Sequence, residues 1–80
     1  MKAKITSHFA VEDIGPEIHQ FGFTVEDGFH TPMVETISLR TARVLVSELP
    51  DGTAFIAMLR VIVAALPEEY DSLVGRVFIE

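Results

Sequence analysis

Thr53 to Leu66, TAFIAMLRVIVAAL, is the stretch whose reading decides the fold, because Arg60 is its only charged residue and a run this apolar has to be buried. Its length falls short of the roughly 20 residues that a membrane-spanning helix needs, so it reads as a core element rather than a span. Ala54, Ala57, Met58, Leu59, Ala64, Ala65 and Leu66 are good helix formers, and the run is long for a strand but ordinary for a helix. On a helix, Phe55, Leu59, Ile62 and Leu66 share one face. Ala57, Arg60 and Ala64 then form a thin side that meets solvent or another subunit. Pro50-Asp51-Gly52, just upstream, is also a strong hairpin-turn signal, so a competing reading makes Arg43 to Leu49 and Thr53 to Val63 two strands. The helix formers favour two helices.

Working back toward the N-terminus, His30-Thr31-Pro32 reads as a helix start, with Thr31 as N-cap and Pro32 at the first helical position. Glu35 would follow near the positive end of the helix dipole. Thr36, Arg40, Arg43 and Ser47 recur at helical spacing as one polar stripe. Met33, Val34, Ile37, Val44, Leu45 and Leu49 make the rest mostly apolar, and Pro50 ends the helix. Before it lie two alternating segments. Ala3, Ile5, Ser7, Phe9 and Val11 share one face of a first strand, and Phe21, Phe23 and Val25 share one face of a second. Gly15-Pro16 breaks the chain between them, and the short connection requires an antiparallel hairpin. Asp27-Gly28 marks a further turn.

Beyond the central run, Pro67 to Gly75 has proline at a helix start, acids in the first turn and glycine past the end, the pattern of one short helix. Arg76 to Glu80 reads as a closing strand. The expected fold is a single α+β domain over residues 1–80. It has two layers: an antiparallel sheet, made of the N-terminal hairpin plus the C-terminal strand, with two main helices packed on one face.

Size and composition narrow the function. A chain of 80 residues without cysteine has no disulfide or thiolate-zinc staple, yet 49% of its residues are apolar. That excess reads as surface buried in an oligomer or against a partner. Twelve acids against six Lys and Arg give a net charge of −6, which argues against direct nucleic-acid binding and for a basic partner. No signal segment or membrane span is read, and a cytoplasmic location is expected.

The acids concentrate early. Phe9 to Asp13 and Phe23 to Asp27 echo each other, and with Glu17 they gather five carboxylates, Glu12, Asp13, Glu17, Glu26 and Asp27, with no Lys or Arg between Ala10 and Phe29. In a hairpin they spread along an acidic edge that can steer a basic protein surface, rather than forming one carboxylate site. His8, His19 and His30 are evenly spaced, but strand alternation puts His8 on the polar face and His19 on the apolar one, so no metal site is expected. Arg40 and Arg43 are expected to pair with neighbouring acids. There is no G-x-S-x-G elbow and no glycine-rich phosphate loop. Neither a catalytic site nor a cofactor is expected.

In length, charge and lack of a cofactor motif the chain is similar to small acidic inhibitors encoded by phages and mobile elements, of the anti-CRISPR type. The resemblance implies stoichiometric binding to a nucleic-acid-handling host protein or nucleoprotein complex. Glu12, Asp13, Glu17, Glu26 and Asp27 would then meet the lysines and arginines that otherwise hold DNA. The alternative is a homo-oligomeric structural or assembly subunit of a phage or bacterial particle, a homodimer for instance, whose interface includes Ala57, Arg60 and Ala64.

Overall fold

A computed structural model describes residues 1–11 and 15–80. Strand β1 (Lys2–Phe9) and strand β2 (Gln20–Glu26) form the expected antiparallel hairpin, joined through a 3-10 turn at Pro16–Ile18. Strand β3 (Val34–Ser38) leads into helix α1 (Leu39–Glu48), and helix α2 (Ala54–Ala64) follows. A 3-10 turn at Pro67–Glu69 runs into the one-turn helix α3 (Tyr70–Leu73), and strand β4 (Val77–Ile79) closes the fold. The sheet order is β3-β2-β1-β4 with every pairing antiparallel. Ala3, Ile5, Phe21, Phe23 and Ile37 of the sheet share one core with Leu39, Ala42, Ala54, Ile56, Met58, Leu59, Ile62, Tyr70 and Leu73 of the helical layer. The two-layer α+β architecture is therefore as the sequence suggests.

Both main helices are capped at their N-termini by a side-chain hydroxyl. Ser38 Oγ accepts the N–H of Thr41 at 3.1 Å, and Thr53 Oγ1 accepts the N–H of Ile56 at 3.1 Å. α1 stops at Glu48, and Leu49 turns extended before Pro50. The turn signal at Pro50-Asp51-Gly52 thus links two helices and not two strands. On α2, Ala57, Arg60 and Ala64 are exposed as expected, but Leu66 lies beyond the helix and is exposed, and the buried set is Ala54, Ile56, Met58, Leu59 and Ile62.

The helix start at Thr31-Pro32 is a correction. Residues 34–38 form a strand because Val34, Thr36 and Ile37 are β-branched and the segment finds β2 as a partner, with Ile37 beside Phe21 and Val34 beside Thr24. Ser38, at the end of that strand, supplies the cap that Thr31 was expected to give. β3 therefore joins α1 with no intervening loop, and Glu35 lies on a strand.

A second correction concerns β1. Ile5 faces Phe23 but Ser7 faces Gly22, so Thr6 is an extra residue, a β-bulge that resets the alternation. His8 now sits beside Phe21 on the helix-facing side, and Phe9 moves to the outer face, 47% exposed. Thr6 and Ser7 both project over Gly22. A Cβ on Gly22 would lie 2.3 Å from Ser7 Oγ and 3.0 Å from Thr6 Oγ1, so the bulge needs glycine opposite it. Thr6 Oγ1 is buried there without a hydrogen-bond partner among the described residues.

This packing sets a test. Gly22→Ala is expected to lower stability by about 1–3 kcal/mol through overpacking. Combined with Ser7→Ala, the same change should recover about 1 kcal/mol of that loss. Urea unfolding of the four species measures the coupling, and strictly additive effects would show that Ser7 does not press on this position.

Candidate functional site

Among the described residues two places concentrate chemistry: the turn between β2 and β3, and a histidine cluster at the opposite end of β2. Of the five acids read from the sequence, Glu12 and Asp13 lie outside the described residues. Glu17, in the 3-10 turn, pairs with Arg43 Nε at 3.3 Å, as expected for that arginine. Glu26 ends β2, with Lys2 Nζ 3.9 Å away. A seven-residue strand rising about 3.3 Å per residue therefore separates Glu17 from Glu26 and Asp27. Glu17, Glu26 and Asp27 do not converge on one carboxylate site.

Asp27 organises the turn that follows. Its Oδ1 accepts the N–H groups of Phe29 at 2.8 Å and His30 at 2.9 Å, and its Oδ2 lies 2.7 Å from His30 Nδ1. This closed Asx turn, with Gly28 at φ 86°, fixes the chain at the tip. The His30 side-chain bond, followed by the two backbone bonds, holds the Asp27 carboxyl well below the usual carboxylate range, and the same carboxylate raises His30. The turn presents apolar side chains to solvent: Phe29 is 91%, Met33 73% and Val34 66% exposed. Glu26, Asp27 and the exposed Glu35 surround them in sequence. Reading Met33 and Val34 as helix surface hid this patch, although an isolated Phe29 within Asp27-Gly28-Phe29-His30-Thr31-Pro32 was a signal for it.

At the other end of β2, the bulge brings together two histidines that strict alternation would have kept apart. His8 Nδ1 is 3.0 Å from His19 Nε2, and His8 Nε2 is 2.6 Å from Asp71 Oδ1. An ionised carboxylate only accepts, so His8 donates from Nε2; its Nδ1 then accepts from His19 Nε2. The result is a series, Asp71 to His8 to His19. Tyr70 packs on both rings and on Phe21, with centroids 5.7, 4.7 and 4.9 Å away. The His19 carbonyl also accepts the Leu39 N–H at 2.9 Å, tying the cluster to the start of α1. Desolvation first and the neighbouring His8 second depress the His19 pKa, and burial raises that of the Tyr70 hydroxyl.

The expectation that His8 and His19 lie on opposite faces is thus overturned by the extra residue at Thr6. Their arrangement is a line rather than a cage, since Asp71 and His19 approach opposite nitrogens of the His8 ring. Among the described residues no three His, Cys, Asp or Glu side chains converge as a metal would require. Ser7, on the other side of the sheet, cannot reach His8, and Ser72 Oγ donates to the Glu69 carbonyl at 2.6 Å. The cluster clamps β1, the entry to β2 and α3 with a chain of hydrogen bonds.

The pH dependence follows with opposite signs for two histidines. His19 is depressed below 6.5, so in the window between its folded value and 6.5 the unfolded chain binds more protons, and stability falls as pH drops through that window. His30 is raised; its contribution is complete below 6.5 and is lost as pH climbs through its folded value, but it is fully exposed and screened by solvent. His19 therefore dominates. The urea midpoint should fall between about pH 7 and pH 5, around the ordinary histidine value, and His19→Gln should flatten that slope. In an NMR titration His19 should lose its proton at lower pH than His30. The reverse order would refute the burial of His19.

No helix is long and apolar enough to cross a membrane among the described residues. Comparison with protein-family models, with curated proteins and with solved structures finds no match to this chain.

Proposed function

We propose that the chain is a small protein–protein interaction module that docks through the turn between β2 and β3. The observation that carries this reading is Phe29, 91% exposed on a turn locked by Asp27. An aromatic side chain carried on a fixed backbone turn is a prepared anchor, because little backbone freedom remains to be lost on binding. Met33 and Val34 extend the apolar centre, and Glu26, Asp27 and Glu35 supply an acidic rim. The complementary surface has an apolar recess bordered by lysine or arginine.

The finer reading is a stoichiometric inhibitor, anti-CRISPR-like, that covers the basic DNA-binding surface of a host protein or nucleoprotein complex. A net charge of −6 supports it, since acids steer encounter with a surface evolved to hold phosphate. Glu26 and Asp27 from the sequence-derived set belong to this site. Glu17, engaged with Arg43 at the other end of β2, does not. A single observation favours a second reading, a self-assembling subunit: Val77 and Ile79 stand exposed on a strand with one free edge.

The test begins with capture from a bacterial lysate and continues with the purified partner. Phe29→Ala should weaken binding by about thirtyfold or more, mainly through faster dissociation. Glu26→Lys with Glu35→Lys should slow association and flatten its salt dependence while leaving the Asp27 turn intact. A partner held equally by the wild type and by Phe29→Ala would exclude this surface. DNA binding by the partner that survives a molar equivalent of the module would exclude the inhibitor reading.

A further inference from the structure

β4 occupies one edge of the sheet, and among the described residues only β1 pairs with it. The Ile5 N–H donates to the Arg76 carbonyl and the Glu80 N–H to the Met1 carbonyl, both at 3.1 Å, with Phe78 opposite Ala3 between them. Arg76, Phe78 and Glu80 thus turn their backbone groups toward β1. By the alternation of an antiparallel ladder, the N–H and C=O groups of Val77 and Ile79 point to the free edge. Their side chains are exposed on the outer face, 43% and 77% respectively.

The sequence Arg76-Val77-Phe78-Ile79-Glu80 is complementary to its own reverse. We infer that β4 pairs with β4 of a second copy, antiparallel about a two-fold axis at Phe78. In that register Val77 lies opposite the partner's Ile79, so all four outward backbone groups of each strand are satisfied by main-chain hydrogen bonds. Arg76 lies opposite the partner's Glu80, and by symmetry the same pair recurs on the other side of the axis. Within the chain Arg76 sits 5.4 Å over the Phe78 ring, and neither Arg76 nor Glu80 forms an ion pair among the described residues.

The surroundings fit the same partner. Two shallow grooves lie where α2 borders this edge, one lined by Ala57, Arg60, Ile79 and Glu80, the other by Ala64 and Arg76. The small-residue side of α2 therefore borders the edge, and a second copy would cover both together. The opposite edge, β3, offers no such match, since Val34–Ser38 carries Glu35 and no basic residue. This interface is separate from the Asp27 turn and does not depend on the function proposed for it.

Light scattering and sedimentation equilibrium at tens of micromolar test the inference, with circular dichroism reporting that each variant is folded. The wild type should be a dimer, and Ile79→Lys should make it a monomer. Arg76→Glu and Glu80→Arg should each weaken dimerisation by about tenfold, and the two together should restore it. A wild-type monomer overturns the proposal, as does a dimer that survives Ile79→Lys or a double variant no better than either single one. Phe29→Ala should leave the mass unchanged; its loss of dimer would move the contact to the turn between β2 and β3.

Discussion

Alternation along a strand keeps one set of side chains inward only while every residue has a partner opposite it. In β1 the alternation breaks at Thr6, and the room for that break is made across the sheet by Gly22, whose missing Cβ leaves space for Ser7 and Thr6. From this one extra residue follow the inward turn of His8, its contact with His19, the docking of Asp71 from α3 and the packing of Tyr70. A regular β1 would put Ser7 in that place and Phe9 after it. The core would then be more apolar, and the three segments would lose their polar clamp. The burial of a Thr6 hydroxyl that finds no partner among the described residues is a local cost of the arrangement.

Much of the fold was legible because it depends on local signals. The apolar run at Thr53, the proline after Leu49 and the alternation of Phe21, Phe23 and Val25 each specify their element without reference to distant residues. Three features were not. Val34 to Ser38 has both a helix-start signal before it and β-branched residues within it, and only its pairing with β2 settles the conflict. The bulge at Thr6 depends on what lies opposite, so strand parity alone put His8 on the wrong face; Gly22 between two phenylalanines was the available hint. Phe29 carried no periodic signal at all, and its exposure follows from the Asp27 turn rather than from its neighbours. Acidic character was legible, but position was not: a strand's length parts Glu17 from Glu26.

The two ends of β2 are built on different principles. At the Asp27 end, hydrogen bonds hold a turn rigid in water and leave its apolar side chains unburied. At the His19 end, hydrogen bonds run inward and join segments far apart in sequence. The first arrangement suits recognition, since it orders a surface without consuming it. The second suits cohesion, and makes that cohesion depend on proton activity in the range where imidazole titrates.

The place of β4 beside β1 also governs the order in which the chain can fold. The β1–β2 hairpin closes a short loop, whereas β1–β4 closes one of about 75 residues, which is costlier and slower to find. As the chain emerges during synthesis, β1 remains a sheet edge until the last of the four strands is available. Until then Ala3 and Ile5 lack the cover that Phe78 and α2 bring, and the nascent hairpin is the species most exposed to pairing with other chains.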